Sequence, residues 1–195
     1  NQPVSVEQYP GREQVHLILG FRTCSSYDPE MPTLDIIQTI LGGGRASTLS
    51  KKLRYEKGLV YSVDAFSTGL TDTGSWVVKT STNKNKVQEV LNVVTEEFAR
   101  VRAGDLAQEE LRFAKEKIIK SKRMQMQTSA SWVDFHSYRE LVTPEMNWTL
   151  VDYIAEISKA SLDDLKMVGE KYFVPGRWFL ALCGDLSERE VKVDF

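Results

Sequence analysis

Two residues of this chain, Arg54 and Tyr61, have side chains that could stabilise negative charge during a reaction. The guanidinium of an arginine and the phenol O–H of a tyrosine are both hydrogen-bond donors. A peptide carbonyl under attack develops negative charge on its oxygen, and donors placed at that oxygen stabilise the transition state. On these residue types alone, the ordinary interpretation is that Arg54 is a solvated helix residue and Tyr61 is a strand aromatic that packs on a neighbour.

Histidines and cysteines, the side chains that could form a zinc site, are few and far apart in the sequence. The chain has two histidines, His16 and His136, and two cysteines, Cys24 and Cys183. A catalytic zinc ion takes three protein ligands and leaves one position open for water. The inverted zinc motif H-x-x-E-H is absent, and His136 and Glu140, four positions apart, have a spacing that is common on solvated helices. We therefore expect no metal site in this chain.

Composition and charge indicate a globular protein without a nucleic-acid or membrane partner. The 195 residues are 42% apolar and 27% charged, and the formal net charge is −2. Such a charge gives no electrostatic reason to bind nucleic acid or an anionic membrane, and no apolar run reaches the length of a membrane-spanning helix. Cys24 and Cys183 lie in apolar runs, which favours buried, reduced thiols and a soluble, cytoplasmic protein. A disulfide in an oxidising compartment is the alternative.

The hydrophobic pattern predicts where the helices and strands lie. Residues 1–13 are polar and lack a period, so they are predicted to be a lead-in or linker before a single domain at residues 14–195. Because the chain starts at Asn1 and not at methionine, we expect an upstream segment. The predicted strands cover residues 14–24, 60–68, 75–82 and 177–184. The predicted helices run from about residue 30 to the stop at Gly42–Gly44, from 47 to 56, from 87 to 101, from about 105 to 142 with a break near 128–131, and from starts at Thr143-Pro144-Glu145 and Ser161–Asp164.

This order of elements indicates the α+β class. Runs of helices follow a strand hairpin and no regular βαβ alternation occurs, so we expect a mostly antiparallel sheet with helices packed on one face. The unbroken apolar run at residues 177–184 predicts a central strand. Aromatic residues in the second half of the chain are expected to serve the core and helix packing; they are Trp132, Phe135, Tyr138, Trp148, Tyr153 and Trp178.

A longer pattern surrounds Arg54 and Tyr61. The segment that ends at Tyr61 reads L-G-G-G-x-x-S-x-L-x-x-x-L-R-x-x-x-G-L-x-Y. It resembles the arginine/tyrosine motif in the C-terminal half of the pitrilysin-type zinc peptidases, the family of insulin-degrading enzyme and mitochondrial processing peptidase. The similarity extends over most of the chain, through Asp72-Thr73-Gly74 and the helix opening at Leu106–Leu111. One departure is Thr48, which stands where many members have arginine.

The resemblance implies a fold, a partner and a function. Each half of these enzymes is a sheet backed by helices, so we expect about four to six strands. The chain resembles the half without metal, so zinc is expected in a zinc-bearing N-terminal half, fused or separate, and neither cofactor nor catalytic residue in this chain alone. The two halves would form a zinc-dependent endopeptidase that encloses extended peptides in a chamber, with Arg54 and Tyr61 binding substrate carbonyl groups. The alternative is a non-catalytic structural or regulatory subunit related to the family.

Overall fold

A five-stranded mixed sheet forms the base of the fold in the computed structural model, which describes residues 4–142 and 149–192. The order of the strands across the sheet is β1-β5-β2-β4-β3. Every neighbouring pair is antiparallel except β1 and β5, which run parallel. The mostly antiparallel sheet and its helices confirm the predicted α+β class. The strands are β1 (Val4–Gln8), β2 (Gln14–Thr23), β3 (Val63–Gly69), β4 (Gly74–Asn83) and β5 (Phe179–Gly184).

Helices pack against one face of this sheet. The first α-helix contacts β3, the second contacts β4 and the sixth contacts β2. Among the helices within the described residues, none combines the length and the apolar character needed to cross a bilayer. The helices are α1 (Met31–Gly42), a π-helix (Ser50–Glu56), α2 (Val87–Ala103), α3 (Gln108–Gln125), α4 (Ser129–Val142), α5 (Leu150–Lys159) and α6 (Leu162–Tyr172).

The two faces of the sheet differ because apolar and polar residues alternate along its strands. On β2, Val15 and Leu17 are at most 1% exposed, whereas His16 and Ile18 next to them are exposed. Such alternation places one face of an antiparallel sheet on the core and leaves the other face to solvent. Four rings pack under the buried face with centroids 4.7 to 5.8 Å apart; they belong to Phe21, Trp76, Phe98 and Phe173.

The segment predicted to be a lead-in contains a strand. Residues Val4–Gln8 form β1 and pair in parallel with β5, from Val4 opposite Leu180 to Gln8 opposite Gly184. The linker interpretation is wrong for these residues, because a polar strand at a sheet edge needs only a partner backbone and a few apolar contacts. Val4 and Val6 supply those contacts to the core. Since β5 lies between β1 and β2, its predicted central position is confirmed.

The aromatic and cysteine side chains follow the predictions only in part. Trp178 is buried against Phe98, but Trp132 and Tyr138 on α4 are 40% and 53% exposed, so the core assignment is wrong for these two. Cys24 and Cys183 are free, as the expectation of reduced thiols requires, but both are only half-buried, so the expectation that they are buried is wrong. The predicted helix start at residues 143–145 and the side chain of residue 148 lie outside the described residues.

Candidate functional site

Arg54 lies on the π-helix Ser50–Glu56, which follows the glycine-rich end of α1. A helix is predicted here, and it takes the π form because the amide of Lys57 donates to the carbonyl of Lys52, five residues earlier, at 3.1 Å. Leu53 is fully buried under this helix, whereas its neighbour Arg54 is partly exposed. Short π-helical turns are rare and are frequently found at functional sites.

Side chains of β4 hold the loop that carries Tyr61. The hydroxyl of Thr82 donates to the carbonyl of Leu59, and the hydroxyl of Thr80 donates to the carbonyl of Ser62, both at 2.6 Å. These bonds fix the backbone two residues before Tyr61 and one residue after it. The sheet therefore positions the loop, although the loop is not part of the sheet.

The structure brings Arg54 and Tyr61 together on one surface. The guanidinium carbon of Arg54 lies 4.8 Å from the ring centroid of Tyr61 and 5.4 Å from that of Tyr55. Tyr61 is 80% exposed, and within the part of the chain that the structure describes, neither its hydroxyl nor the Arg54 guanidinium makes a hydrogen bond. Both groups can therefore donate to a ligand. Tyr61 precedes β3, since this strand begins at Val63 and not at residue 60 as the pattern predicts.

A buried carboxylate lies behind the π-helix. The side chain of Glu97 on α2 is 1% exposed, and its two oxygens pair with Lys52 at 2.6 Å and with Arg100 at 2.9 Å. Lys52 belongs to the π-helix, two residues before Arg54. This group is missed at the level of sequence, where the available signal is a charged residue on the apolar face of α2; that face also buries Val90, Val94 and Val101.

One group of three potential metal ligands occurs among the described residues. The ligand atoms of Cys24, Asp28 and Glu30 lie within 4.8 Å of one another before α1. Glu30 is already bonded, because the ammonium of Lys171 and the hydroxyl of Tyr172 both donate to its Oε2 at 2.6 Å. Burial raises the pKa of the Cys24 thiol, which disfavours the thiolate that a metal requires. The group therefore does not fit a catalytic zinc site, which needs three available protein ligands and one open position for water.

A cavity of about 370 Å³ lies among α1, α3, α4 and α5. Its acidic side chain is Asp35, whose Oδ2 accepts a hydrogen bond from the hydroxyl of Tyr153 at 2.7 Å. Burial raises the pKa of Asp35, although the Tyr153 hydroxyl and the charge of Lys122 act in the opposite direction. Apolar side chains make up much of the lining; they include Met31, Pro32, Met126, Phe135 and Leu150.

Comparisons with known proteins place the chain in a peptidase family. The profile of the family described as "Peptidase M16 inactive domain" matches residues 1–118. Over 161 residues, the chain is 26% identical to an uncharacterized zinc protease of Bacillus subtilis, and the match covers 83% of this chain and 39% of that protein. Over 197 residues, it is 24% identical to the mitochondrial-processing peptidase subunit alpha of Bos taurus, covering 95% of this chain and 37% of that protein. The chain thus spans about two fifths of the length of these relatives.

Solved structures share the fold. A protease from Helicobacter pylori superposes with a TM-score of 0.84 over 93% of this chain and 43% of that chain, at 18% identity. A peptidase M16 inactive domain from Pseudomonas fluorescens superposes with a TM-score of 0.81 over 94% of this chain and 44% of that chain, at 20% identity. At these identities the structures establish a common fold alone.

The family match extends over more than half of the chain, and the protein therefore belongs to the family of peptidase M16 inactive domains. This confirms the family resemblance that the pattern around Arg54 and Tyr61 predicts. The relatives named as zinc proteases are consistent with a zinc-bearing half elsewhere.

Proposed function

We propose that this chain is the substrate-binding, chamber-closing half of a zinc-dependent endopeptidase that acts on extended peptides. It is inactive alone and works with a zinc-bearing N-terminal half, which is either fused to it or a separate subunit. The observation that carries the proposal is the exposed pair of donors, Arg54 and Tyr61, whose guanidinium and ring lie 4.8 Å apart. The family membership supports the pairing with a zinc half, because the matched family is an inactive domain and relatives are named zinc proteases.

The chemistry of the pair suits a substrate carbonyl. Arg54 offers several N–H donors and Tyr61 offers one O–H, and both groups are free of protein hydrogen bonds among the described residues. A donor that is already positioned where charge develops stabilises the transition state without reorganisation. The hydroxyls of Thr80 and Thr82 hold the loop that carries Tyr61, so the backbone at Tyr61 is fixed relative to the sheet. Arg54 and Tyr61 would therefore bind and orient the peptide at the bond that is cleaved.

The test is peptide hydrolysis by the complete peptidase, made from this chain and the H-x-x-E-H half encoded upstream or in a neighbouring gene. A fluorescence-quenched peptide library serves as substrate. We expect hydrolysis only when both halves are present, and a fall in kcat of roughly 10²–10³ for Tyr61→Phe. Arg54→Ala should lower kcat at least as much and raise KM. Matched controls are Tyr9→Phe and Arg12→Ala, which change exposed residues of the same types away from the π-helix.

Two results would overturn the proposal. One is a genome that encodes no H-x-x-E-H half, either fused to this chain or as a separate subunit. The other is a complete peptidase that cleaves equally well after both Arg54 and Tyr61 are replaced. The first result would favour the alternative, a structural or regulatory subunit. The second would leave this chain as a lid and scaffold for the zinc half.

A further inference from the structure

The ion pair between Glu97 and Lys52 connects the body of the fold to the helix that carries Arg54. Glu97 Oε1 lies 2.6 Å from Lys52 Nζ, and the Glu97 side chain is 1% exposed. The Lys52 side chain is 38% exposed, so its stem reaches inward from a surface helix. Glu97 also pairs with Arg100, so loss of Lys52 would leave one of its two buried oxygens without a cation, which destabilises this arrangement. The pair therefore favours one placement of the π-helix relative to α2.

Glu97 is itself held in place by a second cation. Arg100 Nη1 donates to Glu97 Oε2 at 2.9 Å, and Arg100 Nη2 donates to Glu110 Oε1 at 2.6 Å. The Nε of Arg100 donates to the carbonyl of Asp105 at 2.8 Å. Arg100 thus joins the end of α2, the turn after it and the start of α3. The Glu97 carboxylate that pairs with Lys52 is consequently held in one position by Arg100.

On the π-helix, Lys52 and Arg54 point in different directions. Lys52 and Arg54 are two positions apart, and residues at this spacing on a helix do not face each other. Lys52 turns toward α2 and pairs with Glu97, Leu53 is fully buried, and Arg54 contacts the ring of Tyr61. A rotation of the helix that broke the Lys52 contact would also move Arg54 away from Tyr61.

We infer that Glu97 and Lys52 are positioning residues for the Arg54–Tyr61 pair. Glu97 holds Lys52, and Lys52 fixes the rotation of the π-helix at which the Arg54 guanidinium lies on the Tyr61 ring. This inference rests on the proposed function of Arg54 and Tyr61 and adds the scaffold contact that sets their geometry. A small misplacement of a substrate-positioning group can reduce a rate by about 10²-fold, so a contact of this kind acts on catalysis without touching the substrate.

The test uses the complete peptidase with the substitution Lys52→Met, which removes the ammonium and keeps an unbranched stem. We expect kcat/KM to fall by between about tenfold and 10²-fold, and Lys52→Arg to restore much of the loss because it returns a cation to Glu97. Lys51→Met is the matched control, since Lys51 is the exposed neighbour on the same helix. The control should leave kcat/KM unchanged.

A double-mutant cycle separates positioning from general stability. In an Arg54→Ala background, Lys52→Met should cause little further loss of kcat/KM, because the residue that it positions is absent. The midpoint of urea unfolding is measured for each variant, and rates are compared under conditions where all variants are folded. An equal loss in both backgrounds, or no loss in the wild-type background, would overturn the inference. If Arg54→Ala itself has no effect, it is the proposed function that fails.

Discussion

The Arg54 guanidinium lies 4.8 Å from the centroid of the Tyr61 ring, a cation–π contact on a surface that is open to solvent. Contacts of this kind at exposed sites contribute about 0.5–1 kcal/mol. The contact therefore orients Arg54 only weakly by itself, and the hydrogen bonds of the loop and the Lys52–Glu97 pair supply the rest of the order. Under the proposed function, the ring of Tyr61 would orient Arg54 and its hydroxyl would bind substrate.

Substitutions of Tyr61 should separate these roles. Tyr61→Phe keeps the ring under Arg54 and removes one donor, so we expect kcat to fall with little change in KM. Tyr61→Ala also removes the platform for Arg54, so KM should rise in addition. Steady-state kinetics of the complete peptidase measure both constants, with Tyr9→Phe as control. Equal kcat and equal KM for the Phe and Ala variants would show that the ring has no orienting role.

Asp35 should make stability depend on pH. Burial raises its pKa in the folded state above the ordinary value of 3.8. The folded chain then retains a proton that the unfolded chain has lost, so the contribution of Asp35 to the free energy of unfolding is fully present below pH 3.8 and falls as pH rises through the folded-state pKa. Asp35→Asn removes this dependence, and the variant should gain stability relative to wild type as pH approaches neutrality.

Urea unfolding at a series of pH values measures the difference between wild type and Asp35→Asn. The exposed turn residue Asp72 provides the control Asp72→Asn. Tyr153→Phe should raise the pKa of Asp35 further, because it removes the 2.7 Å hydrogen bond to the carboxylate. A stability difference for Asp35→Asn that does not vary with pH would contradict the assignment of a raised pKa.

Two glycines near the candidate site should respond differently to substitution. A Cβ at Gly42 would lie 2.3 Å from the Cβ of Ala65 and 2.4 Å from its backbone nitrogen, so Gly42→Ala must push α1 away from β3. We expect a loss of about 1–3 kcal/mol in the free energy of unfolding. At Gly58 the space is open and φ is +58°, so Gly58→Asn should cost much less, since asparagine tolerates this conformation. Chemical denaturation of both variants compares them directly, and equal losses would contradict the steric explanation.

The purified chain should not hold zinc in stoichiometric amount. In the group Cys24, Asp28 and Glu30, one carboxylate is bonded to Lys171 and Tyr172, and burial raises the pKa of the thiol. Elemental analysis after mild chelation measures the metal content, with Cys24→Ser as the comparison. About one tightly held zinc per chain, lost in Cys24→Ser, would show that this group binds metal after all.

The sequence predicts the elements whose signal is repeated along the chain. The alternation on β2 and the apolar stripe on α2 each involve several residues, so these elements are correctly identified. The edge strand β1 offers only Val4 and Val6 as apolar contacts, and its partner β5 is far away in the sequence. The pairing of β1 depends on the backbone of β5, and no pattern within residues 4–8 indicates that partner.

The candidate site is also predicted only in part. The motif identifies Arg54 and Tyr61, and the structure places them together. The π form of the helix is not predicted, because a segment of 7 residues is too short for its apolar spacing to distinguish a π-helix from an α-helix. Glu97 is not predicted either, because its partner Lys52 is 45 positions away and only the packing of α2 on the π-helix brings the two together.

The parallel pairing of β1 with β5 bears on how this domain can be produced in isolation. A truncated protein that began at Gln14 would remove the hydrogen-bonding partner of residues 180–184. The apolar strand β5 would then become the outer strand, with unpaired N–H and C=O groups along a row that includes Leu180 and Leu182. An exposed strand edge of this kind is a template for self-association. Recombinant fragments intended for crystals or binding assays should therefore retain β1, Val4–Gln8.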